Sequence, residues 1–480
     1  MWRPVLMIDG FIVFVLGVMM LLPAGALYYY SGRVDYIFLQ SSFTAMFLGG
    51  ALFLANIGDV KKITILQGYL IPVTCWFVAP LVCALPLYGN GDIKTVYDAV
   101  FEATSGITST GSTILRNIEA QPKSVLLWRA MLNGLGGIGI IIFAVALTPF
   151  LGTGGTHLFS KENSDTEEKF LPKIRYIAKD IIFVYIFLSV LCAVLFKNAG
   201  MNWFDAVAFA LSTMGTGGLS PKNNSIAFFD SPTIEAICAV FLLLSALPIT
   251  YFVLILKRRT FASITSNPQV NAFLKLVTGY ILFISIFYAY DAEIPFMTAF
   301  RRAAFNIISA ITTAGFASSD FISWGSWTVV VFLILFMHGG CTGSTTGSVK
   351  IFRWQVIGAF FKQYAIKALS PNQVAVMKTG DKVIGAEIVS SVFVLVFGFV
   401  FAIAIYTLII CLTGVDFVTA LGAVVANITN TGLGLTAASG PTGNFAGFTP
   451  FVKYMLSSAM VLGRLEVVTV FVLLNKISRK

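Results

Sequence analysis

The chain has 480 residues, of which 57% are hydrophobic and 11% are charged, and its mean hydropathy is +0.86. Soluble domains average about 25% charged residues, so this composition excludes an ordinary soluble protein. The formal net charge of +10 does not require a nucleic-acid partner, because its distribution follows membrane topology. The six cysteines lie in or beside apolar segments without metal-ligand spacing, and the two histidines, His157 and His338, are isolated. We therefore expect reduced thiols and no cofactor in this chain.

Ten apolar segments approach or exceed the length of about 20 residues that a helix needs to cross a bilayer. They centre on 7–30, 36–57, 64–88, 126–149, 181–196, 233–256, 273–290, 326–360 (interrupted), 384–412 and 452–475. The first lacks a small-residue cleavage site and is interpreted as a retained span. Placing both termini in the cytoplasm puts 21 of the 32 Lys and Arg residues inside and ten outside, with Arg464 within the last span. The positive-inside rule therefore predicts a multi-pass protein of the cytoplasmic (inner) membrane with cytoplasmic termini.

Four shorter segments alternate with these spans, and each ends in a turn rich in glycine and threonine. They are "YDAVFEATSGITSTGST" (97–113), "FDAVAFALSTMGTGGLS" (204–220), "FRRAAFNIISAITTAGF" (300–316) and "FVTALGAVVANITNTGLG" (417–434). Each suits a helix of about ten to twelve residues, which covers half of the bilayer core. The turns reach glycines at 111, 218, 315 and 432, and their separations of 107, 97 and 117 residues indicate a fourfold internal duplication.

Each predicted repeat consists of a span, a half-helix, a turn and a second span. Because every repeat contains two full crossings, successive repeats enter from the same side and are related by an axis along the membrane normal. The predicted fold is therefore all-α, with ten transmembrane helices, of which four parallel repeats surround a central pore. The predicted boundaries are an N-terminal two-span addition at 1–60 and repeats at 61–155, 156–260, 261–378 and 379–480.

The four turns offer carbonyl and hydroxyl oxygens but no carboxylates. Rings of such oxygens replace the hydration shell of a monovalent cation, whereas a divalent ion usually requires carboxylates. The half-helices should also point their partly negative C-terminal ends at the ion. The candidate ligands are Thr108, Ser109, Thr110, Gly111, Gly215, Thr216, Gly217, Gly218, Thr312, Thr313, Ala314, Gly315, Thr429, Asn430, Thr431 and Gly432.

These turns resemble those of the Trk/Ktr/HKT superfamily of potassium transporters, most closely the TrkH-type potassium-translocating subunit. The resemblance covers roughly 64–475, and the spans within 7–57 resemble the N-terminal addition of the TrkH branch. It implies a selectivity filter with one key glycine per repeat: Gly111, one of the adjacent Gly217 and Gly218, Gly315 and Gly432. In plant relatives a serine at the first position accompanies sodium permeation, so Gly111 favours potassium.

The eighth span is interrupted by "HGGCTGSTTGSVK" (338–350). Irregular backbone at membrane depth must be buried in protein or line a wet cavity, so we expect this run to project into the pore as a flexible gate with few side-chain anchors. A kink packed against neighbouring helices is the alternative. A phosphate loop is excluded, because the second glycine of "GSTTGSVK" comes too early for that motif and Lys350 does not directly follow this glycine. The gate candidates are Gly339, Gly340, Cys341, Thr342, Gly343, Ser344, Thr345, Thr346, Gly347, Ser348, Lys350 and Arg464.

Arg464 is a charged residue within an apolar span, where insertion costs about 2.5–3.5 kcal/mol. Glu466 lies on a different helical face and is a poor partner. Arg464 either extends towards the cytoplasmic headgroups or faces the pore, where it would hydrogen-bond the interrupting run and repel cations. The resemblance, which includes a matching arginine, favours the second reading.

Two mechanisms remain open: a channel-like potassium uptake subunit, and an alternating-access symporter coupled to sodium or protons. A symporter commonly uses intramembrane acids, and Asp98, Glu102 and Asp205 lie in the half-helices but not in the turns. No clustered constellation indicates an enzyme. The resemblance further implies a homodimer and a cytosolic nucleotide-binding regulatory ring (TrkA-like), which the basic loops near 150–180 and 361–383 could contact.

Overall fold

The computed structural model describes residues 2–58, 64–151, 170–258, 267–373, 376–380 and 382–465, and nearly all regular structure in them is helical. In chain order the helices are α1 (Arg3–Met19), α2 (Leu21–Ser31), α3 (Tyr36–Asn56), α4 (Ile65–Ala84), α5 (Val96–Ile107), α6 (Lys123–Leu151), α7 (Phe170–Asn198), α8 (Trp203–Met214), α9 (Pro232–Ser245), α10 (Ile249–Arg258), α11 (Pro268–Asp291), α12 (Phe296–Ile311), α13 (Trp327–Phe336), α14 (Ile351–Leu369), α15 (Ala386–Cys411), α16 (Phe417–Ile428) and α17 (Pro450–Arg464). A hairpin of β1 (Lys378–Thr379) and β2 (Lys382–Val383) connects α14 to α15.

Seven helical segments of the described residues are long and apolar enough to cross a membrane, and the bent pair α9 and α10 makes an eighth if it is counted as one span. This confirms the prediction of a mostly helical integral membrane protein. The interrupted span 326–360 is divided between α13 and α14. The tenth span, 452–475, runs past residue 465 and so partly lies outside the described residues.

The long helices turn bulky apolar side chains outward, as expected for helices in contact with lipid. Phe183 on α7 is 64% exposed and Phe397 on α15 is 69% exposed. The four short helices, α5, α8, α12 and α16, direct their C-terminal ends into the interior, where Ala103, Ala210, Ala310 and Ala426 are buried. The long helices therefore enclose the short ones.

The short helices begin where a side chain caps their free N–H groups. Thr95, Asn202 and Asp416 cap α5, α8 and α16, respectively. The third short helix, α12, begins at Phe296 after Pro295 and has 16 residues. It is longer than the expected ten to twelve, because its first turn starts before the segment predicted at 300–316.

The prediction of one continuous span at 233–256 is wrong. Helix α9 ends at Ser245, α10 begins at Ile249, and the two are bent by 88°. Pro248 lies in the break, and proline cannot continue a helix because it lacks an N–H group and its ring clashes with the preceding turn. The predicted second repeat therefore contains an interrupted helix, as the predicted third repeat does.

Helices α1 and α3 pack against each other through glycines. A Cβ atom at Gly10 would lie 2.6 Å from the Phe53 backbone nitrogen, and one at Gly49 would lie 2.9 Å from Phe14 Cα. Small residues allow such close packing of membrane helices. Asp35, the N-cap of α3, accepts hydrogen bonds from Asn90 and Ser124, which fastens this N-terminal pair to the rest of the protein.

Candidate functional site

The four glycine-rich turns share one backbone conformation. We define turn one as 108–111, turn two as 215–218, turn three as 312–315 and turn four as 429–432. The second residue of each turn has a left-handed φ: Ser109 (53°), Thr216 (48°), Thr313 (55°) and Asn430 (56°). The fourth residue also has a positive φ: Gly111 (92°), Gly218 (69°), Gly315 (75°) and Gly432 (77°). In turn two, the glycine in the matching conformation is therefore Gly218 rather than Gly217.

Each short helix ends in the same pattern of hydrogen bonds. The amide of the third turn residue donates to the carbonyl five residues earlier: Thr110 to Ser105 (2.8 Å), Gly217 to Ser212, Ala314 to Ser309 and Thr431 to Ala426 (2.9 Å each). Together with the left-handed residue before it, this bond forms a Schellman motif. The motif directs these N–H groups back onto the helices.

The four turns contact one another in a closed ring. A Cβ atom at Gly111 would lie 2.5 Å from the Gly217 carbonyl oxygen. Around the ring, Gly218 packs in the same way on the Ala314 carbonyl, Gly315 on the Thr431 carbonyl, and Gly432 on the Thr110 carbonyl. Only glycine combines a positive φ with the lack of a side chain that this spacing requires.

The ring opens on a cavity of about 150 Å³ on one side. All four glycines, Gly111, Gly218, Gly315 and Gly432, line it. The four turns therefore share one opening.

The electrostatics of the ring suit a cation of low charge. The C-termini of four helices end at the turns, and each carries a partial negative charge. The turns contain no Asp or Glu, and no group of three or more His, Cys, Asp or Glu residues in the described part of the chain could hold a metal ion. The arrangement can therefore coordinate a dehydrated monovalent cation through neutral oxygens.

Several hydroxyl groups predicted as ligands are engaged in hydrogen bonds within the ring. Thr108 and Thr110 share a bond of 2.7 Å, and Asn430 Nδ2 donates to Thr110 Oγ1 over 2.9 Å. Thr429 and Thr431 form the matching pair in turn four at 2.9 Å. Only the bond from Asn430 to Thr110 joins turns one and four, but all of these hydroxyls are engaged. The backbone carbonyls are therefore the principal candidate ligands.

The interrupting loop (338–350) lies against three of the four turns. The Gly347 amide donates to Thr313 Oγ1 over 2.7 Å, and Thr216 Oγ1 donates to Thr345 Oγ1 over 3.3 Å. A Cβ atom at Gly347 would lie 2.5 Å from the Thr429 carbonyl oxygen. The loop therefore touches turns two, three and four at or beside their left-handed residues.

The loop also fills the break between α9 and α10, which the sequence did not reveal. The Cys341 amide donates to the Ala246 carbonyl over 2.9 Å, and the Ile249 amide donates to the Gly343 carbonyl over 3.2 Å. Two interrupted helices thus satisfy each other's backbone groups, as buried irregular chain requires. Pro248 was the available signal for this break.

The prediction that the loop has few side-chain anchors is wrong. Ser344 Oγ donates to the Cys341 carbonyl and Ser348 Oγ donates to the Phe336 carbonyl, each over 2.6 Å. Lys350 donates to the Thr346 carbonyl and also to Thr346 Oγ1. The serine and threonine hydroxyls and the lysine therefore hold the loop in place, although its glycines have no side chains.

Arg464 lies at the C-terminal end of α17 and is only 3% exposed. Its Nη1 donates to the Thr345 carbonyl of the loop over 3.0 Å, and its Nη2 donates to the Gly136 carbonyl of α6 over 3.3 Å. Glu466, the partner judged poor from the sequence, lies outside the described residues. Arg464 therefore connects the interrupting loop to α6 instead of extending towards the headgroups.

Sequence reasoning missed the residues of α6 and α17 that support turns one and four. Ser109 Oγ donates to the Asn133 carbonyl over 3.1 Å, and Asn430 Nδ2 donates to the Met460 carbonyl over 3.0 Å. A Cβ atom at Gly136 would lie 2.8 Å from Ser109 Oγ. The run "GLGGIGI" (134–140) was a visible signal, because Gly136 packs on Ser109 of turn one and Gly137 packs on Gly215 of turn two.

Together, the helical spans and the closed ring of turns define an integral membrane protein in which four short helices end at one ring of glycine-rich turns. The family model described as "TrkH: Cation transport protein" matches residues 35–479. The chain belongs to this family.

Similar proteins of known name and structure agree with this family. The Trk system potassium uptake protein TrkH of Salmonella typhimurium is 33% identical over 479 residues, which cover 98% of each chain. The Trk system potassium uptake protein TrkI of Halomonas elongata is 34% identical over 410 residues, covering 85% of this chain and 83% of that protein. The crystal structure of the potassium transporter TrkH from Vibrio parahaemolyticus matches with a TM-score of 0.89 and 30% identity, covering 99% of this chain and 98% of the other.

Proposed function

We propose that this protein takes up potassium across the cytoplasmic membrane through a channel-like pore. The observation that carries the proposal is the closed ring of four turns, in which the fourth residue of each turn is a glycine that packs on a carbonyl of the next turn. The similarity to proteins named as Trk system potassium uptake proteins supports potassium as the cargo. Potassium is transported and is not a resident cofactor.

The proposed architecture has ten spans, with both termini in the cytoplasm. An N-terminal addition at 1–60 precedes four parallel repeats at 61–155, 156–260, 261–378 and 379–480, each with one short helix and one turn. The cavity that all four glycines line supports a common axis for these repeats. The cavity then lies on the external side, where the positive-inside rule places the short helices.

Selectivity arises in this account from the ring of carbonyl oxygens. An entering ion exchanges its water shell for the carbonyls of turns one to four, and the helix C-termini compensate its charge. The Schellman motifs hold the turns in place, so the ring does not collapse onto an ion that is too small. Because the ligands are neutral, the ion is held weakly enough to leave.

The interrupting loop and Arg464 form the proposed gate. The loop touches three turns, and none of its residues lines the cavity. Arg464 fastens the loop to α6. A guanidinium at this position also repels a cation that has passed the ring. Opening requires the loop to leave the turns and the Arg464 bonds to break.

The proposed assembly is a homodimer that contacts a cytosolic nucleotide-binding regulatory ring (TrkA-like). The basic cytoplasmic segments are the proposed contact region, namely the segment near 150–180, part of which lies outside the described residues, and the segment at 361–383. Lys362, Lys367 and Lys378 supply charge in the second segment.

Rubidium uptake into vesicles containing the purified protein tests the function. We expect potassium to compete with rubidium for uptake. Sodium should neither drive the uptake of rubidium nor substitute for rubidium as the transported ion. Gly111→Ser should lower the preference for rubidium over sodium, because the new side chain meets the Gly217 carbonyl and the positive φ becomes strained. Gly279→Ser in α11 is the matched control, since apart from the adjoining residues and the backbone of its own helix no described atom lies within 4 Å of the position its Cβ would occupy.

Single-channel recording separates the channel from a symporter. Unitary currents far above the turnover of a carrier support the channel. Uptake that requires a sodium or proton gradient, without unitary currents, would replace it with coupled symport.

A further inference from the structure

A buried ion pair lies behind turn one. Glu102 on α5 is 0% exposed and Arg129 on α6 is 1% exposed. Arg129 Nε donates to Glu102 Oε1 over 2.6 Å. A buried ion pair is weak evidence for stability, because desolvation offsets the attraction. Its further contacts therefore decide what it does.

Glu102 holds the chain that leaves turn one. Its Oε2 accepts the Ile114 amide over 2.9 Å, and its Oε1 accepts Thr113 Oγ1 over 2.9 Å. Thr113 comes two residues after Gly111. The carboxylate therefore fixes the segment that follows the glycine, although it lies too far back in α5 to face the ring itself.

Arg129 holds the corresponding segment of the neighbouring turn. Its Nη1 donates to the Ser220 carbonyl over 3.0 Å, and its Nη2 donates to Thr113 Oγ1 over 3.2 Å. Ser220 comes two residues after Gly218, as Thr113 does after Gly111. One guanidinium thus bridges the exits of turns one and two, and the paired Glu102 neutralises its charge beside the cavity.

The other two turns are held at the matching position by neutral groups. The Ala317 amide, two residues after Gly315, donates to Ser225 Oγ over 3.3 Å. The Gly434 amide, two residues after Gly432, donates to the Ser439 carbonyl over 2.7 Å. In all four turns a hydrogen bond therefore fixes the residue two positions after the glycine. Turns one and two share the Arg129 guanidinium for this purpose.

We infer that Glu102 and Arg129 are positioning residues for ion selectivity, which set the spacing between turns one and two by bracing the segments after Gly111 and Gly218. This inference rests on the proposed function, since it assigns a selectivity role within the same ring. The planar guanidinium is required because it directs separate N–H groups at Glu102, Thr113 and Ser220, whereas a lysine ammonium acts as a single point charge. Neither residue touches the ion.

The test is the permeability ratio of potassium to sodium, measured from reversal potentials of the purified protein in planar bilayers. Arg129→Lys retains the charge next to Glu102 but cannot also reach the Ser220 carbonyl. We expect it to lower the permeability ratio about tenfold, because one hydrogen bond from a charged group is lost. Thr113→Val removes only the hydroxyl between the two residues and should lower the ratio less. This second variant keeps the test decisive if Arg129→Lys does not insert.

Arg301→Lys is the matched control. Arg301 on α12 pairs with Glu235 on α9 over 2.8 Å and with Asp230, but none of these bonds reaches the residue two positions after a turn glycine. The potassium-to-sodium permeability ratio of Arg301→Lys should equal that of the wild type. A purely structural role of Arg129 predicts lower yield or thermal stability with an unchanged ratio in both Arg129→Lys and Thr113→Val, and that result would overturn the inference. If the wild-type protein conducts no potassium, the proposed function fails instead.

Discussion

The connection between Arg464 and the interrupting loop yields a quantitative prediction. Arg464→Ala removes the charged hydrogen bond from Nη1 to the Thr345 carbonyl and the one from Nη2 to Gly136 that anchors the arginine. Only the first of these holds the loop directly. A hydrogen bond from a charged group contributes about 1.5–3 kcal/mol, so its loss should shift the closed-to-open ratio by roughly 10- to 150-fold.

The assay is basal rubidium uptake into vesicles without any regulatory partner. We expect the Arg464→Ala protein to show higher uptake, up to the limit set by a fully open pore. Arg464→Lys keeps the positive charge but offers a single donor group, so its uptake should lie between those of the wild type and the alanine variant. This intermediate variant separates the loss of the hydrogen bond from the loss of repulsion.

Arg33→Ala controls for general effects of removing an arginine, because Arg33 is exposed in the connection between α2 and α3. Its uptake should equal that of the wild type. If correctly inserted Arg464→Ala protein shows unchanged basal uptake, Arg464 does not hold the gate closed.

Three further predictions follow from the ring and the loop. Shortening 340–347 should raise basal rubidium uptake, because the contacts with Thr216 and Thr313 are lost; uptake at or below the wild-type level would contradict this. Gly315→Ala should abolish selective uptake, since its Cβ would meet the Thr431 carbonyl and a left-handed backbone costs a residue with a side chain about 1–2 kcal/mol; Gly279→Ala serves as the control, and retained selectivity in Gly315→Ala would argue against the ring. Pro248→Ala should favour joining α9 to α10 and so weaken the bonds from Cys341 to Ala246 and from Ile249 to Gly343; we expect faster hydrogen exchange at Cys341 and higher basal uptake, and unchanged exchange would show that the break does not depend on the proline.

The repeated pattern was predictable from sequence because it depends on local chemistry. A short apolar helix followed by a glycine requires few distant contacts to define it, so the spacing of Gly111, Gly315 and Gly432 located three of the turns. Turn two remained ambiguous because Gly217 and Gly218 are the same residue type. Only the backbone conformation distinguishes them, since Gly218 has a φ of 69° and Gly217 does not have a positive φ.

The features that sequence did not predict depend on contacts between distant segments. The carbonyls of Ala246 and Asn133 that receive bonds from the loop and from Ser109 belong to the backbone, which has no sequence signal of its own. The anchoring of Ser344 and Ser348 likewise requires the folded loop. Pro248 could have indicated the break between α9 and α10, but the strong apolar character of 233–256 outweighed this signal.

Anomalous diffraction from crystals of the protein soaked in rubidium tests the central claim most directly. The account predicts anomalous density on the axis of the ring, coordinated by the carbonyls of Thr110, Gly217, Ala314 and Thr431 and open to the cavity lined by the four glycines. Rubidium bound only at carboxylates such as Asp98 or Asp205, with the centre of the ring empty, would contradict it.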